Sequence, residues 1–142
     1  MNINGWPCVI ADVVAREGAQ LTREDHSITA LYLDTKGMGM PAFSLKKEQF
    51  IDKVLERAGW DDIDFDDYPE FSDKYFLTGN DKGAIKSFFR EGLVRYLESN
   101  NGYALNSDGR GLLIYKGGEM GPEEIGRLAA YAGELSSVLK EQ

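Results

Sequence analysis

The sequence predicts an α+β fold, an antiparallel or mixed sheet of about five strands with three helices in the order β-β-α-β-α-β-β-α. Three observations carry this. Apolar residues alternate with period two in several short segments. Asp108-Gly109 falls between two such segments, as a tight hairpin turn requires. Longer segments repeat their apolar residues at helical spacing, the last of them beginning at Pro122. Consecutive strand pairs, rather than strand–helix–strand repeats, argue for antiparallel pairing with helices on one side.

Each element follows in order. Residues 7–17 alternate, with Val9, Ala11 and Val13 on one side, and predict a strand. Residues 27–34 alternate Ile28, Ala30 and Tyr32 with Thr29, Leu31 and Leu33. Both faces are apolar, which predicts a central or doubly covered strand. The two segments pair as an antiparallel hairpin with a long turn. Lys36-Gly37-Met38-Gly39-Met40-Pro41 is a breaker-rich loop. Ser44 then caps a helix over 45–58, with Phe50, Ile51, Val54, Leu55 and Ala58 at helical spacing and Gly59 as its stop. Residues 60–73 are acidic and irregular, and 74–78 read as a short strand. Asn80 caps a helix over 81–98 whose stripe is Ile85, Phe88, Phe89, Leu93, Tyr96 and Leu97. Strands Gly102–Asn106 and Leu112–Lys116 flank the Asp-Gly turn. Pro122 opens the last helix at N1, with Glu123 and Glu124 favouring its dipole. Ile125, Leu128, Ala129, Ala132, Leu135 and Leu139 form its buried stripe.

Residues 1–142 suit a single globular domain, either whole or the soluble fragment of a longer protein. The formal net charge of −8 repels phosphate backbones, so nucleic acid is an unfavourable partner. No apolar run approaches the roughly 20 residues of a spanning helix, so no membrane insertion by this segment is expected. Residues 1–6 lack the basic and apolar regions of a signal peptide. The one cysteine, Cys8, forms no internal disulfide and sits in an apolar run. A cytoplasmic location follows as the expectation.

The segments that resemble chemical motifs each fail at a nameable residue. Asp62, Asp64 and Asp66 would share one face of an extended segment and are the weak metal candidates. The calcium-loop pattern breaks at Asp67, where glycine belongs, and at Asp73, where glutamate belongs. The bland reading is a solvated edge strand anchored by Ile63 and Phe65. Gly79–Lys86 follows a strand and opens a helix, as a phosphate loop does, but its glycine and lysine spacings are wrong. His26 is the sole histidine, which excludes paired-histidine metal sites. It would form a dyad with Cys8 only if the two paired across the first hairpin. The apolar setting gives that thiol no reason to ionise. No Gly-x-Ser-x-Gly elbow occurs. No catalytic residue, metal or cofactor is therefore assigned. Met38, Met40, Trp60 and Tyr68 are the candidates for contacting a partner, since thioethers on a loop and aromatics are common at interfaces.

Several phrases resemble a family of uncharacterised bacterial proteins. They are Pro41-Ala42-Phe43-Ser44-Leu45-Lys46, Asp62-Ile63-Asp64-Phe65, Pro69-Glu70-Phe71-Ser72, Tyr75-Phe76-Leu77-Thr78-Gly79 and Leu112-Leu113-Ile114-Tyr115-Lys116. In that family a soluble domain often follows an N-terminal membrane-spanning segment. This chain departs by lacking a proline after the basic residue near Lys46, and by lacking the segment. The resemblance implies no catalytic residues. It implies a non-catalytic binding or scaffold domain of a bacterial membrane-associated protein, with an unknown protein partner. Such a domain would lie at the cytoplasmic face of the inner membrane if a membrane segment precedes it. Two rival expectations stand beside this one. The first is an acidic, immunity-type protein that neutralises a basic partner. The second is a carboxylate-based enzyme or small-ligand binder, which requires a deep pocket with buried acidic side chains.

Overall fold

The computed structural model describes residues 1–15, 26–36, 38–47 and 63–141. Within them the fold is α+β with one antiparallel sheet. Its strands are β1 (Asn2–Ile3), β2 (Trp6–Ala15), β3 (His26–Asp34), β4 (Phe43–Lys47), β5 (Tyr75–Thr78), β6 (Ala104–Ser107) and β7 (Gly111–Tyr115). Four helices are described: α1 (Pro69–Lys74), α2 (Lys82–Phe88), α3 (Glu91–Ser99) and α4 (Pro122–Lys140). The order across the sheet is β1-β2-β3-β7-β6-β4-β5. The sheet thus has seven strands where about five are expected, and the helix count and element order differ as well.

The two additional strands have clear local causes. Asn4 and Gly5 both adopt positive φ, 50° and 87°. That is the backbone of a two-residue hairpin turn, and it folds β1 against Trp6 and Pro7. Phe43–Lys47, expected as loop and helix start, is β4. Phe43 and Leu45 are buried while Ser44 and Lys46 face the other way, so period two prevails here. Ser44 caps nothing; it pairs with Thr78 and Asn106 in the neighbouring strands. The remainder of the expected 45–58 helix, and Gly59, lie outside the described residues.

The helices also differ in detail. Within the acidic stretch expected to be irregular, Pro69 starts the short helix α1, and Phe71 plants it in the core. The helix expected over 81–98 is two helices. Phe89 leaves helical geometry and is 2% exposed, and Arg90 is extended before α3 begins. Burying Phe89 is the evident reason for the break. Asp81, not Asn80, caps α2: its carboxylate accepts the Ala84 N–H at 3.0 Å.

The core lies on one face of the sheet. Leu31, Leu33, Leu45, Leu77, Leu105 and Ile114 are buried there against Phe71, Ile85, Leu93, Leu97, Leu128 and Leu135 of the helices. β3 is central as expected, between β2 and β7. Gly111 lets β7 close against it, because a Cβ there would meet the Tyr32 hydroxyl and lie 2.7 Å from the Leu33 carbonyl oxygen. The expected Asp-Gly turn is present. The Asp108 carboxylate accepts the N–H groups of Arg110 and Gly111, both at 2.8 Å, which holds its pKa below the usual range. The two chain ends meet where the Asn4 amide donates to Ser136 Oγ at 2.6 Å. The Lys140 ammonium donates to the Asn4 carbonyl and sits 4.9 Å from the Trp6 ring centre, a cation–π distance.

Candidate functional site

The fold scatters the residues that resembled motifs. Asp64 and Asp66 are exposed, and Asp62 lies outside the described residues. Instead of forming an edge strand, residues 63–65 run irregularly beside β5, with the Ile63 N–H donating to the Leu77 carbonyl at 2.7 Å. Ile63 is buried, and Phe65 packs on Phe71 with ring centres 5.7 Å apart. Among the described residues no group of three or more His, Cys, Asp or Glu could hold a metal.

Cys8 and His26 are separated by register. Cys8 pairs with Leu33 and His26 with Ala15. Seven strand positions, roughly 23 Å at ~3.3 Å each, divide them. Burial raises the Cys8 pKa, the opposite of what a nucleophile needs. The described buried polar residues are Thr29, Thr35, Thr78, Ser107 and Ser136, and every described Asp and Glu retains contact with solvent. The buried acidic pair required by the carboxylate-enzyme expectation is therefore not found among the described residues. Of the four partner-contact candidates, Met40 is buried in the core, Met38 and Tyr68 are half-buried against it, and Trp60 lies outside the described residues.

A surface of a different kind stands at the other margin of the sheet. β2 is ten residues long, but β1 covers only Trp6 and Pro7. Cys8 still donates its N–H to the Met1 carbonyl at 2.8 Å. Main-chain groups alternate in direction along an antiparallel strand, so those of Ile10, Asp12 and Val14 face outward past that point. No described residue bonds to them. Val9 and Val13 project from the face opposite the core, and they are 63% and 38% exposed. The usual guards of an edge strand are a lysine, a bulge or a proline within the open part. β2 has one charge there, Asp12, and its carboxylate already accepts the Thr29 hydroxyl at 2.6 Å. Thr29 in turn accepts the Met120 N–H at 2.8 Å, so Asp12 serves the junction between the sheet and the start of α4.

Behind the sheet, Tyr103, Tyr131 and Tyr96 pack in a row, with ring centres 4.5 and 5.7 Å apart. Tyr96 donates to the Glu134 carboxylate at 2.9 Å, and Tyr75 donates to the Leu97 carbonyl at 2.9 Å. The Tyr131 hydroxyl is buried and has no hydrogen-bond partner among the described residues. An unmade bond at such a group costs about 1–3 kcal/mol. Tyr131→Phe is therefore expected to stabilise the domain by about 1 kcal/mol, seen as a higher urea midpoint at an unchanged slope. A lower midpoint would show that the hydroxyl is satisfied in solution.

Sequence reasoning identified the β2 alternation but not its exposure, because alternation does not say which face other elements cover. It overlooked Asn4-Gly5, a strong short-range hairpin signal and the reason β1 covers only the first residues of the edge. Among the described residues no helix is long and apolar enough to cross a membrane. No family model, curated protein or solved structure matches the chain.

Proposed function

We propose that this chain is a non-catalytic protein-binding domain that takes an extended, basic segment of a partner as an added strand on β2. The observation that carries the reading is the edge beyond Cys8 that no described residue pairs, with outward main-chain groups and exposed Val9 and Val13 beside it. Strand addition satisfies such groups directly, and alternate side chains supply specificity. The net charge of −8 selects the occupant. It attracts a basic segment and repels a second copy of this chain. Neutralisation of a basic partner, as immunity proteins perform, is a special case of the same contact. The phrases that resemble that bacterial family's support a cytoplasmic location, at the face of the inner membrane if a membrane segment precedes the chain.

A photo-crosslinking residue at Val9 or Val13, with Lys86 on α2 as control, tests this in cells. The expected result is one discrete adduct from the two β2 positions, absent from the control and weakened by salt. Mapping should place the adduct in a Lys/Arg-rich segment. A synthetic peptide of that segment should slow hydrogen exchange at the Ile10 and Asp12 amides. An adduct with a second copy, an adduct equally formed from Lys86, or a peptide that leaves those amides unprotected would overturn the reading.

A further inference from the structure

A second feature is independent of the β2 edge. Where β4 and β7 end and β6 begins, beside the first turn of α4, a depression of ≈ 710 Å³ opens. That volume falls in the range of small-molecule sites, about 300–1,000 Å³. Lys46, Lys47 and Lys116 all line it, Lys46 and Lys47 from opposite faces at the end of β4. In a chain of net charge −8, its described lining residues hold three lysines against one carboxylate. The one acidic side chain among its described lining residues is Glu124, which is paired with the Lys116 ammonium at 3.0 Å. Lys46 and Lys47 have no ion-pair partner among the described residues.

The register explains the shape. Ala104 pairs with Tyr115, and one step past the Leu45–Leu105 pair it lies beside Lys46. A methyl floor therefore separates Tyr115 from Lys46 by two strand spacings, about 10 Å. Tyr103 forms another wall, and its ring is fixed against Tyr131 at 4.5 Å. At the rim, Gly102 and Gly117 leave the main chain open; a Cβ on either would meet nothing within 4 Å.

From this we infer that the depression binds a small organic anion, a carboxylate or phosphate ester joined to a flat apolar ring. The lysines supply the anion contacts, and the tyrosines with Ala104 supply a surface for the ring. The field of the whole molecule decides against a polyanion. A nucleic acid would meet the net negative charge over its length, whereas a small ligand feels mainly charges within a Debye length, about 8 Å in physiological salt.

Calorimetric titration of the full chain with 1-naphthyl phosphate, 1-naphthoate, 1-naphthol and inorganic phosphate tests the inference. At least one of the two anionic ring compounds should bind tenfold or more tightly than both naphthol and inorganic phosphate. Amide resonances of Gly102, Tyr103, Ala104 and Gly117 should shift on binding. The double variant Lys46→Gln/Lys47→Gln should lose tenfold or more, while Lys86→Gln binds as the parent does. Ala104→Leu, which fills the floor, should weaken the ring compounds but leave inorganic phosphate unchanged. If that variant unfolds, the double lysine variant is read alone. Naphthol binding as tightly as its phosphate ester, shifts confined to other residues, or a double lysine variant with parental affinity would overturn the inference. None of these outcomes bears on the β2 edge, so the two readings fail separately.

Discussion

Above about pH 10 the domain is expected to unfold cooperatively, because Tyr75 and Tyr131 can ionise readily only in the unfolded chain. Both hydroxyls have pKa values raised by burial, which penalises the phenolate. A folded-state pKa raised above its unfolded value gives stability that is complete below the unfolded pKa. That stability is lost as pH rises from the unfolded value toward the folded one. While only the unfolded form ionises, each such tyrosine removes about 1.4 kcal/mol per pH unit. Two of them act together against a total stability of about 5–15 kcal/mol, which brings the crossing within a few pH units. Tyr96 is raised in the same direction, by burial and by its bond to Glu134, but it is partly solvated and adds less. Absorbance at 295 nm, recorded with far-ultraviolet circular dichroism, checks this. Part of the signal from the seven tyrosines should appear only as the fold collapses. Tyr131→Phe should make stability fall less steeply with pH. If all tyrosines ionise before the dichroism changes, the buried hydroxyls reach solvent without unfolding.

Phe89→Ala is the substitution expected to cost most, about 3–5 kcal/mol. Phe89 is 2% exposed and stands where α2 breaks off before α3. Its ring meets Phe43 edge-on at 5.0 Å and lies 5.8, 6.0 and 6.2 Å from Phe88, Phe71 and Phe65. One side chain thus joins β4, α1, α2 and the acidic segment at residues 63–65. Truncation would remove its apolar contacts and leave a void that four rings from separate elements cannot readily fill. Urea unfolding should show the midpoint falling steeply at an unchanged slope. Phe89→Leu should recover much of the loss. A cost below about 1 kcal/mol would mean that the ring cluster repacks freely.

The contrast between the Asp108 turn and Phe89 marks how far local reading reaches. Asp108-Gly109 needs only its own backbone geometry and two short bonds from the carboxylate, so the hairpin was legible. Pro122 likewise marks the start of α4 by its own ring. Phe89 also matches the helical stripe running through 81–98, and nothing local warns that it leaves the helix. Its burial against Phe43 and Phe71 overrides the helical periodicity. At Phe43–Lys47, breaker residues before the strand and a helical pattern after it masked a period-two run only five residues long.

The candidate sites divide the same way. Local spacing was enough to turn aside the calcium and phosphate patterns, because those motifs depend on residue types at fixed intervals. The lysine-lined depression draws on residues 46–47, 102–104, 115–117 and 124, which only sheet register and the docking of α4 bring together. By itself the sequence determined an α+β chain with an antiparallel or mixed sheet, the Asp-Gly turn and the amphipathic last helix. Each rests on covalent geometry or on short-range periodicity. Only the tertiary structure decided how far β1 covers the edge of β2, which lysines line one depression, and that Cys8 and His26 stand apart. Those are properties of pairing between distant segments, and no local pattern encodes their register or what covers them.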